Sequence, residues 1–272
     1  MKVMKFGGTS VGSPDRMKNV ASLITESGDP TFVVLSAMSG TTNSLIEISN
    51  YLYKKNPDGA NEVINTLEKK YMQHVEELYS TDEYKEKTRE FLREEFKYMR
   101  SFTKDIFTSF EEKSIVAQGE IMSTNMVLNY LQEQGIKATL LSAFDFMRTD
   151  KNAEPDAQYI KEKLTAIMTE NEGYQIYITQ GFICLNAYGE IDNLQRGGSD
   201  FTASLIGVAL GAEEIQIWTD IDGMHNNDPR IVDETDAIRQ LNFEEAAELA
   251  YFGAKILHPT CVPVSYTHLT LP

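Results

Sequence analysis

Short apolar runs punctuate the chain, and each gives way to a loop rich in glycine or hydroxyl residues or to a stretch with helical periodicity. Met4 to Phe6, Thr31 to Leu35, Ala138 to Leu141, Gln175 to Thr179 and Ile215 to Trp218 are compact enough to fill buried parallel strands. Ser13-Pro14-Asp15 opens a helix continuing through Arg16 to Thr25, and further helices are predicted from about Ser44, over 114–131, 156–168 and 203–210. Strands alternating with helices predict an α/β fold with a mainly parallel sheet covered on both faces. From about Pro57 to Phe110 the period changes. Ile64, Leu67, Tyr71 and Leu78 share one face, Phe91, Leu92, Glu95, Phe96 and Met99 follow, and Ser80-Thr81-Asp82 parts two helices. This excursion is expected to form a helical hairpin, either a substrate-side lobe or lid, or a packed element with no chemistry.

The loops after the apolar runs carry the candidate chemistry. The first, Gly7-Gly8-Thr9-Ser10-Val11-Gly12, follows Lys5-Phe6 and precedes a helix, a setting in which backbone N–H groups, hydroxyls and one full positive charge can cradle phosphates. It matches neither Gly-x-x-x-x-Gly-Lys-Ser/Thr nor Gly-x-Gly-x-x-Gly, and a plain glycine turn after a buried strand is the alternative. The second loop, Ser36 to Asn43, repeats the pattern, and two such loops at the carboxyl ends of strands suggest one shared site. In Arg196-Gly197-Gly198-Ser199-Asp200, Arg196 can hold a carboxylate through its bidentate fork, and Ser199 with backbone N–H groups completes an anion pocket. Asp200 is either a helix N-terminal acid or a residue that orients lysines. Glu120, among small and apolar neighbours, can receive a substrate ammonium, or can serve only as an acid in an early helical turn. Asp220 and Asp222 lack calcium-loop spacing and read as solvated loop acids. A helix end at Ala250 to Pro259 delivers Lys255 beside a glycine.

Composition narrows the class of partner. Lys and Arg total 25 against 41 Asp and Glu, a formal charge of -16 over 272 residues, which opposes nucleic acid and anionic membranes. An anionic small molecule must then be captured by local positive charge. The acids between Glu62 and Glu112 read as a solvated helical face. Cys184 and Cys261 make no disulfide framework, the histidines share no zinc-ligand spacing, and neither a signal sequence nor a run of ~20 apolar residues occurs. A cytoplasmic protein is expected. With no Ser, His and acid set in view, the chemistry suggested is anion handling without an enzyme nucleophile.

Taken together, Lys5-Phe6-Gly7-Gly8-Thr9-Ser10, Ser39-Gly40-Thr41-Thr42-Asn43, Gln118-Gly119-Glu120, Arg196-Gly197-Gly198-Ser199-Asp200, Thr219-Asp220, Asp228-Pro229-Arg230 and Phe252-Gly253-Ala254-Lys255 stand in the order found in aspartokinases. From residue 1 to about 262 the chain resembles the catalytic domain of that group within the amino-acid kinase family. The resemblance implies a three-layer αβα sandwich and transfer of the ATP γ-phosphoryl group to the side-chain carboxylate of L-aspartate, with Mg²⁺ travelling on ATP, in the branch leading to lysine, threonine and methionine. By motif, Lys5, Gly7, Gly8 and Ser10 would hold the β and γ phosphates, and Phe6 belongs to the same ATP site. Thr219, Asp220, Met224 and Arg230 would line the rest of the ATP site, Met224 standing where many members place a tyrosine. Lys255 would offset charge during transfer and Asp200 would orient both lysines, while Thr42, Glu120, Arg196 and Ser199 would hold aspartate.

Two departures from the family pattern are evident. The paired ACT domains that usually follow, and that support dimerisation, are not expected here, which weakens a homodimer and feedback control. Residues 263–272 do not resemble the family's continuation and read as a foreign tail on a truncated frame. Other amino-acid kinases, acting on glutamate, acetylglutamate or a carbamate, are the rival enzymes, and a non-catalytic binding chain is the rival of another class.

Overall fold

The computed structural model describes residues 1–104, 106–194, 197–220, 223, 225–227, 232, 234–242, 244–246 and 248. Strand β1 (Lys2–Phe6) lies between β2 (Thr31–Leu35) and β7 (Glu214–Trp218), and β2 is followed outward by β4 (Ile176–Gln180) and β3 (Ala138–Leu140). Every pairing in this sheet is parallel, with Met4 opposite Val33 and Gln216, and Val33 opposite Ile178. The carboxyl ends of β7, β1, β2 and β4 therefore emerge side by side at one edge.

The alternation of side chains across each strand divides the core in two. Met4, Phe6, Val33, Leu35, Ile176 and Ile178 face one layer, whereas Val3, Phe32, Val34 and Tyr177 face the other. The first layer holds α1 (Pro14–Thr25), α2 (Thr41–Tyr53), α3 (Pro57–Leu78), α4 (Asp82–Ser101) and α5 (Ser109–Glu133). The second holds α6 (Ala143–Phe146), α7 (Ala157–Glu170) and α8 (Gly198–Leu210). This is the expected αβα sandwich. Among the described residues no helix is long and apolar enough to cross a membrane.

The excursion after Pro57 is a helical hairpin, with α3 and α4 separated at 79–81 as the turn residues predict. Its apolar stripe packs inward: Tyr71 and Phe96 are fully buried and meet edge to face at 5.8 Å, a pairing worth ~0.5–1.5 kcal/mol beyond the area it buries. Its acids line the outer surface, where Glu76 and Glu86 pair with Arg89.

Three helices begin earlier than their periodicity suggests. The capping box of Thr108 and Glu111, in which the Glu111 carboxylate accepts the Thr108 N–H at 2.8 Å, starts α5 at Ser109 instead of Ser114. Helices α2 and α8 start at Thr41 and Gly198 because Gly40 (φ 81°) and Gly197 (φ 78°) take the left-handed conformation that turns the chain straight into a helix. A short antiparallel hairpin, β5 (Ile183–Leu185) with β6 (Ile191–Asn193), was not visible in the sequence, its strands being too short for a period to register. The helix end expected at 250–259 lies outside the described residues.

Candidate active site

The strand ends at the carboxyl edge enclose a cleft of about 450 Å³ whose wall includes Lys5, Gly8, Thr9, the 36–40 loop, Thr42, Asn43, Glu120, Phe182 and residues 197–200. Its floor is two interlocked loops. Ser36 N–H donates to Phe6 O at 3.2 Å and Ser39 N–H donates to Gly8 O at 3.0 Å. A Cβ on Gly8 would stand 2.7 Å from the Ala37 carbonyl oxygen, so this approach requires glycine. Gly119 of α5 meets the same loop, where a Cβ would lie 2.7 Å from the Ala37 side chain.

Two helices aim their N-termini at this cleft. In α1, α3, α5 and α7 a side chain of Ser13, Asn56, Thr108 or Asp156 caps the first turn; α2 and α8 begin at glycines with no side-chain cap and, unlike the equally uncapped α4 and α6, start in the wall of the cleft. The Thr41 N–H is taken by Met38 O at 2.9 Å and the Asp200 N–H by Gly197 O at 3.0 Å, so the N–H groups of Thr42 and Asn43 in α2 and of Gly198 and Ser199 in α8 are the ones that can meet an anion, and the helix dipoles add to the attraction. Across the cleft the Lys5 ammonium pairs with the Asp200 carboxylate at 2.6 Å, with only 12% and 15% of the side chains exposed. Asp200 is thus more than a helix-end acid. It fixes Lys5 over the mouth of the glycine loop.

Glu120 occupies a different setting from the early helical turn expected of it. Because α5 begins at Ser109, Glu120 sits about three turns inside the helix, beyond reach of the N-terminal dipole. It is 4% exposed, its Oε1 accepts the Ala37 N–H at 3.2 Å, and its buried Oε2 has no hydrogen-bond partner. Burial pushes its carboxyl up to about 8, an effect the Ala37 N–H only partly offsets. A buried acid in the wall of a cleft, with one oxygen unpartnered, can receive a cationic group.

Phe182, unremarked in the sequence, also walls the cleft. It takes a left-handed conformation (φ 70°) between β4 and β5, held by its N–H to Thr202 Oγ1 at 3.0 Å, while Thr202 donates to Gly198 O at 2.7 Å. The only sequence signal is its place after Gly181, where a Cβ would collide with Ser199 Oγ at 2.5 Å.

The sequence-predicted residues divide between two places. Lys5, Gly8, Thr42, Glu120, Ser199 and Asp200 surround the main cleft. Phe6, Ser10, Thr219 and Asp220 line a neighbouring cavity of about 210 Å³ on the other side of the glycine turn, with Arg16 and with Trp218, whose ring stacks on Phe6 at 5.8 Å. Thr9 touches both spaces, and Gly7 closes the turn between them by accepting the Ser10 N–H at 3.0 Å. Arg196, Met224, Arg230 and Lys255 lie outside the described residues. Cys184 is buried and its thiol is pushed up to about 12, which leaves it chemically inert. Among the described residues no group of three or more His, Cys, Asp or Glu side chains is placed to hold a metal ion.

This geometry has close counterparts. The chain is 35% identical over 262 residues to the lysine-sensitive aspartokinase 3 of Escherichia coli, covering 94% of this chain and 57% of that protein. It is 36% identical over 272 residues to the chloroplastic aspartokinase 1 of Arabidopsis thaliana, covering 94% and 46%. The crystal structure of E. coli aspartokinase III in complex with aspartate and ADP, in the R-state, superposes with a TM-score of 0.87 at 33% identity, covering 98% of this chain and 60% of that one. The chain thus spans about half the length of the curated relatives it matches. The pattern of the amino acid kinase family itself runs from residue 1 to 267, through both glycine loops, Glu120 and the start of α8, and the chain belongs to that family.

Proposed function

We propose that residues 1–262 form the catalytic domain of an aspartate kinase, which transfers the γ-phosphoryl group of MgATP to the side-chain carboxylate of L-aspartate, giving 4-phospho-L-aspartate and ADP. The observation that carries this reading is Glu120 Oε2, a buried and unpartnered carboxylate oxygen at a cleft otherwise furnished for anions. Aspartate presents the matching set: one ammonium and two carboxylates. The likeness to aspartokinases, one of them crystallised with aspartate and ADP, supports the same assignment.

Aspartate's side chain, with an ordinary pKa of ~3.9, is ionised at neutral pH, so the reaction needs no general base. The obstacle is bringing a carboxylate against a phosphate. Lys5 neutralises phosphate charge, held in place by Asp200. The open N–H groups at the starts of α2 and α8 take anionic oxygens, with Thr42 and Ser199 adding hydroxyl donors. Glu120 receives the ammonium and, in doing so, releases to solvent the proton that burial favours in the empty cleft. Mg²⁺ carried on the phosphates of ATP would lower the charge that the incoming carboxylate meets. Gly7, Gly8, Ser10, Phe6, Thr219 and Asp220, with Met224, Arg230 and Lys255, are assigned to ATP; Arg196 is assigned to an aspartate carboxylate. The product would enter lysine, threonine and methionine synthesis.

The test is ADP release by the purified chain with MgATP, with and without L-aspartate, and with hydroxylamine to trap an acyl phosphate. Aspartate-dependent hydroxamate is the expected result. Hydroxamate with L-glutamate or acetylglutamate and none with aspartate would replace the substrate, and a folded chain yielding none with any acid would overturn the reading.

A further inference from the structure

The 36–43 loop is anchored from two directions. From the sheet side and α5 it is held by Phe6, Gly8 and Glu120, and by Ser123 Oγ, which donates to Ser36 O at 2.8 Å. Its far half, which leads into the N-terminus of α2, is held instead by α3 of the helical hairpin. The hydroxyls of Tyr71 and Thr41 are hydrogen-bonded at 3.1 Å, and both side chains are fully buried. One residue earlier, the half-buried Lys70 donates from Nζ to Ser39 O at 3.1 Å. Helix α3 is itself tied to α1 by Lys18 Nζ, which donates to Glu77 O at 2.9 Å, and to α4 by the Tyr71–Phe96 contact.

We propose that α3 is the positioning element of the acceptor side of the cleft, Tyr71 and Lys70 fixing residues 39–41 and through them the open N–H groups at the start of α2. Neither side chain lines the cleft, so neither is catalytic. The inference rests on the aspartate kinase reading and adds to it a role for the hairpin, whose sequence is otherwise only amphipathic and charged. Gly40 has no Cβ to restrict its backbone and no side chain caps α2, so the two clamps add to backbone bonds such as Ser39 N–H to Gly8 O and Thr41 N–H to Met38 O in holding this segment. Loss of the Tyr71 hydroxyl leaves Thr41 Oγ1 buried without that partner; loss of Lys70 frees the Ser39 carbonyl.

The test uses the whole chain with Tyr71→Phe, Lys70→Met and Lys70→Arg, each first shown to unfold cooperatively. Tyr71→Phe and Lys70→Met are expected to raise KM for L-aspartate by about five- to tenfold, with KM for MgATP within about twofold of the parent, and Lys70→Arg, which keeps a donor, is expected to restore it. An unchanged KM for aspartate, or equal rises for both substrates, would overturn the proposal. Amide hydrogen exchange read in the same variants separates this proposal from the functional reading beneath it. Should the parent show no aspartate-dependent turnover, faster exchange confined to residues 39–43, with 31–35 unchanged, would still sustain the positioning role, and unaltered exchange there would refute it.

Discussion

Replacing Glu120 by Gln should make the protein more stable as the pH rises while removing its acceptor binding. In the folded chain the carboxyl is held at about 8, against an ordinary value of 4.5. Below 4.5 both states carry the proton, and the group is neutral with respect to folding. Between 4.5 and 8 the unfolded chain releases a proton that the folded chain retains, so stability falls with rising pH; above 8 the loss is complete. At ~1.36 kcal/mol per pH unit the full difference is about 5 kcal/mol, of which about 1 is lost by pH 5 and about 3 by pH 7. Glutamine keeps an acceptor for the Ala37 N–H and does not titrate. Denaturant unfolding of both proteins at pH 5, 7 and 8.5 should therefore show a gap in favour of Gln that widens by about 2–3 kcal/mol between the first two. The slope carries the reasoning. A gap constant to within ~0.5 kcal/mol would mean that Glu120 titrates normally in the folded chain and that its burial is not felt as charge. The same group sets the pH dependence of binding: only ionised Glu120 pairs with an ammonium, so aspartate affinity should rise about tenfold from pH 6 to 7 and level off above 8.

Further outcomes follow from the ion pair and the glycines. Lys5→Met should lower turnover on the order of 10²–10³-fold and destabilise the fold by leaving Asp200 without its cation; adding Asp200→Asn should recover stability in thermal melts without recovering turnover. Gly8→Ala must push the 36–43 loop away from the glycine turn, because the added methyl meets backbone at 2.7 Å; a cost of ~1–3 kcal/mol and a sharp rise in KM for MgATP are expected in unfolding and kinetic assays. Thr202→Val should release Phe182 from its left-handed conformation, and a crystal structure with Phe182 returned to negative φ would show it.

The sheet was readable because parallel strands buried on both faces are continuous apolar runs, and Thr31 to Leu35 is fully buried from end to end. The hairpin was readable from its helical period and the Ser80-Thr81-Asp82 break. Helix starts were less so, since Gly40 and Gly197 act through a backbone conformation that leaves little trace in the hydrophobic pattern. Among the site residues, Lys5 and Asp200 could be paired on chemical grounds, but Glu120 was ambiguous until the capping box at Thr108 placed it in mid-helix. Tyr71 was legible as a core residue and illegible as a clamp. Its hydroxyl contact with Thr41 crosses 30 positions, and no spacing rule reports a contact made by two packed helices.

The charge inventory explains why backbone carries so much of the site. The chain has a formal charge of -16, and of the described residues that line the cleft Lys5 alone is cationic, against Glu120 and Asp200. Lys5 is already neutralised by Asp200 at 2.6 Å, so side-chain charge among these residues gives the empty cleft little net pull on an anion. Among these residues the attraction comes from fixed dipoles, the uncapped starts of α2 and α8, whose strength depends on geometry and is not titrated away. Such dipoles act only within about a turn of the helix end. Placement of the 39–43 segment therefore sets their strength, and the glycines that let the two loops interlock, together with the α3 clamps on the far side, secure that placement.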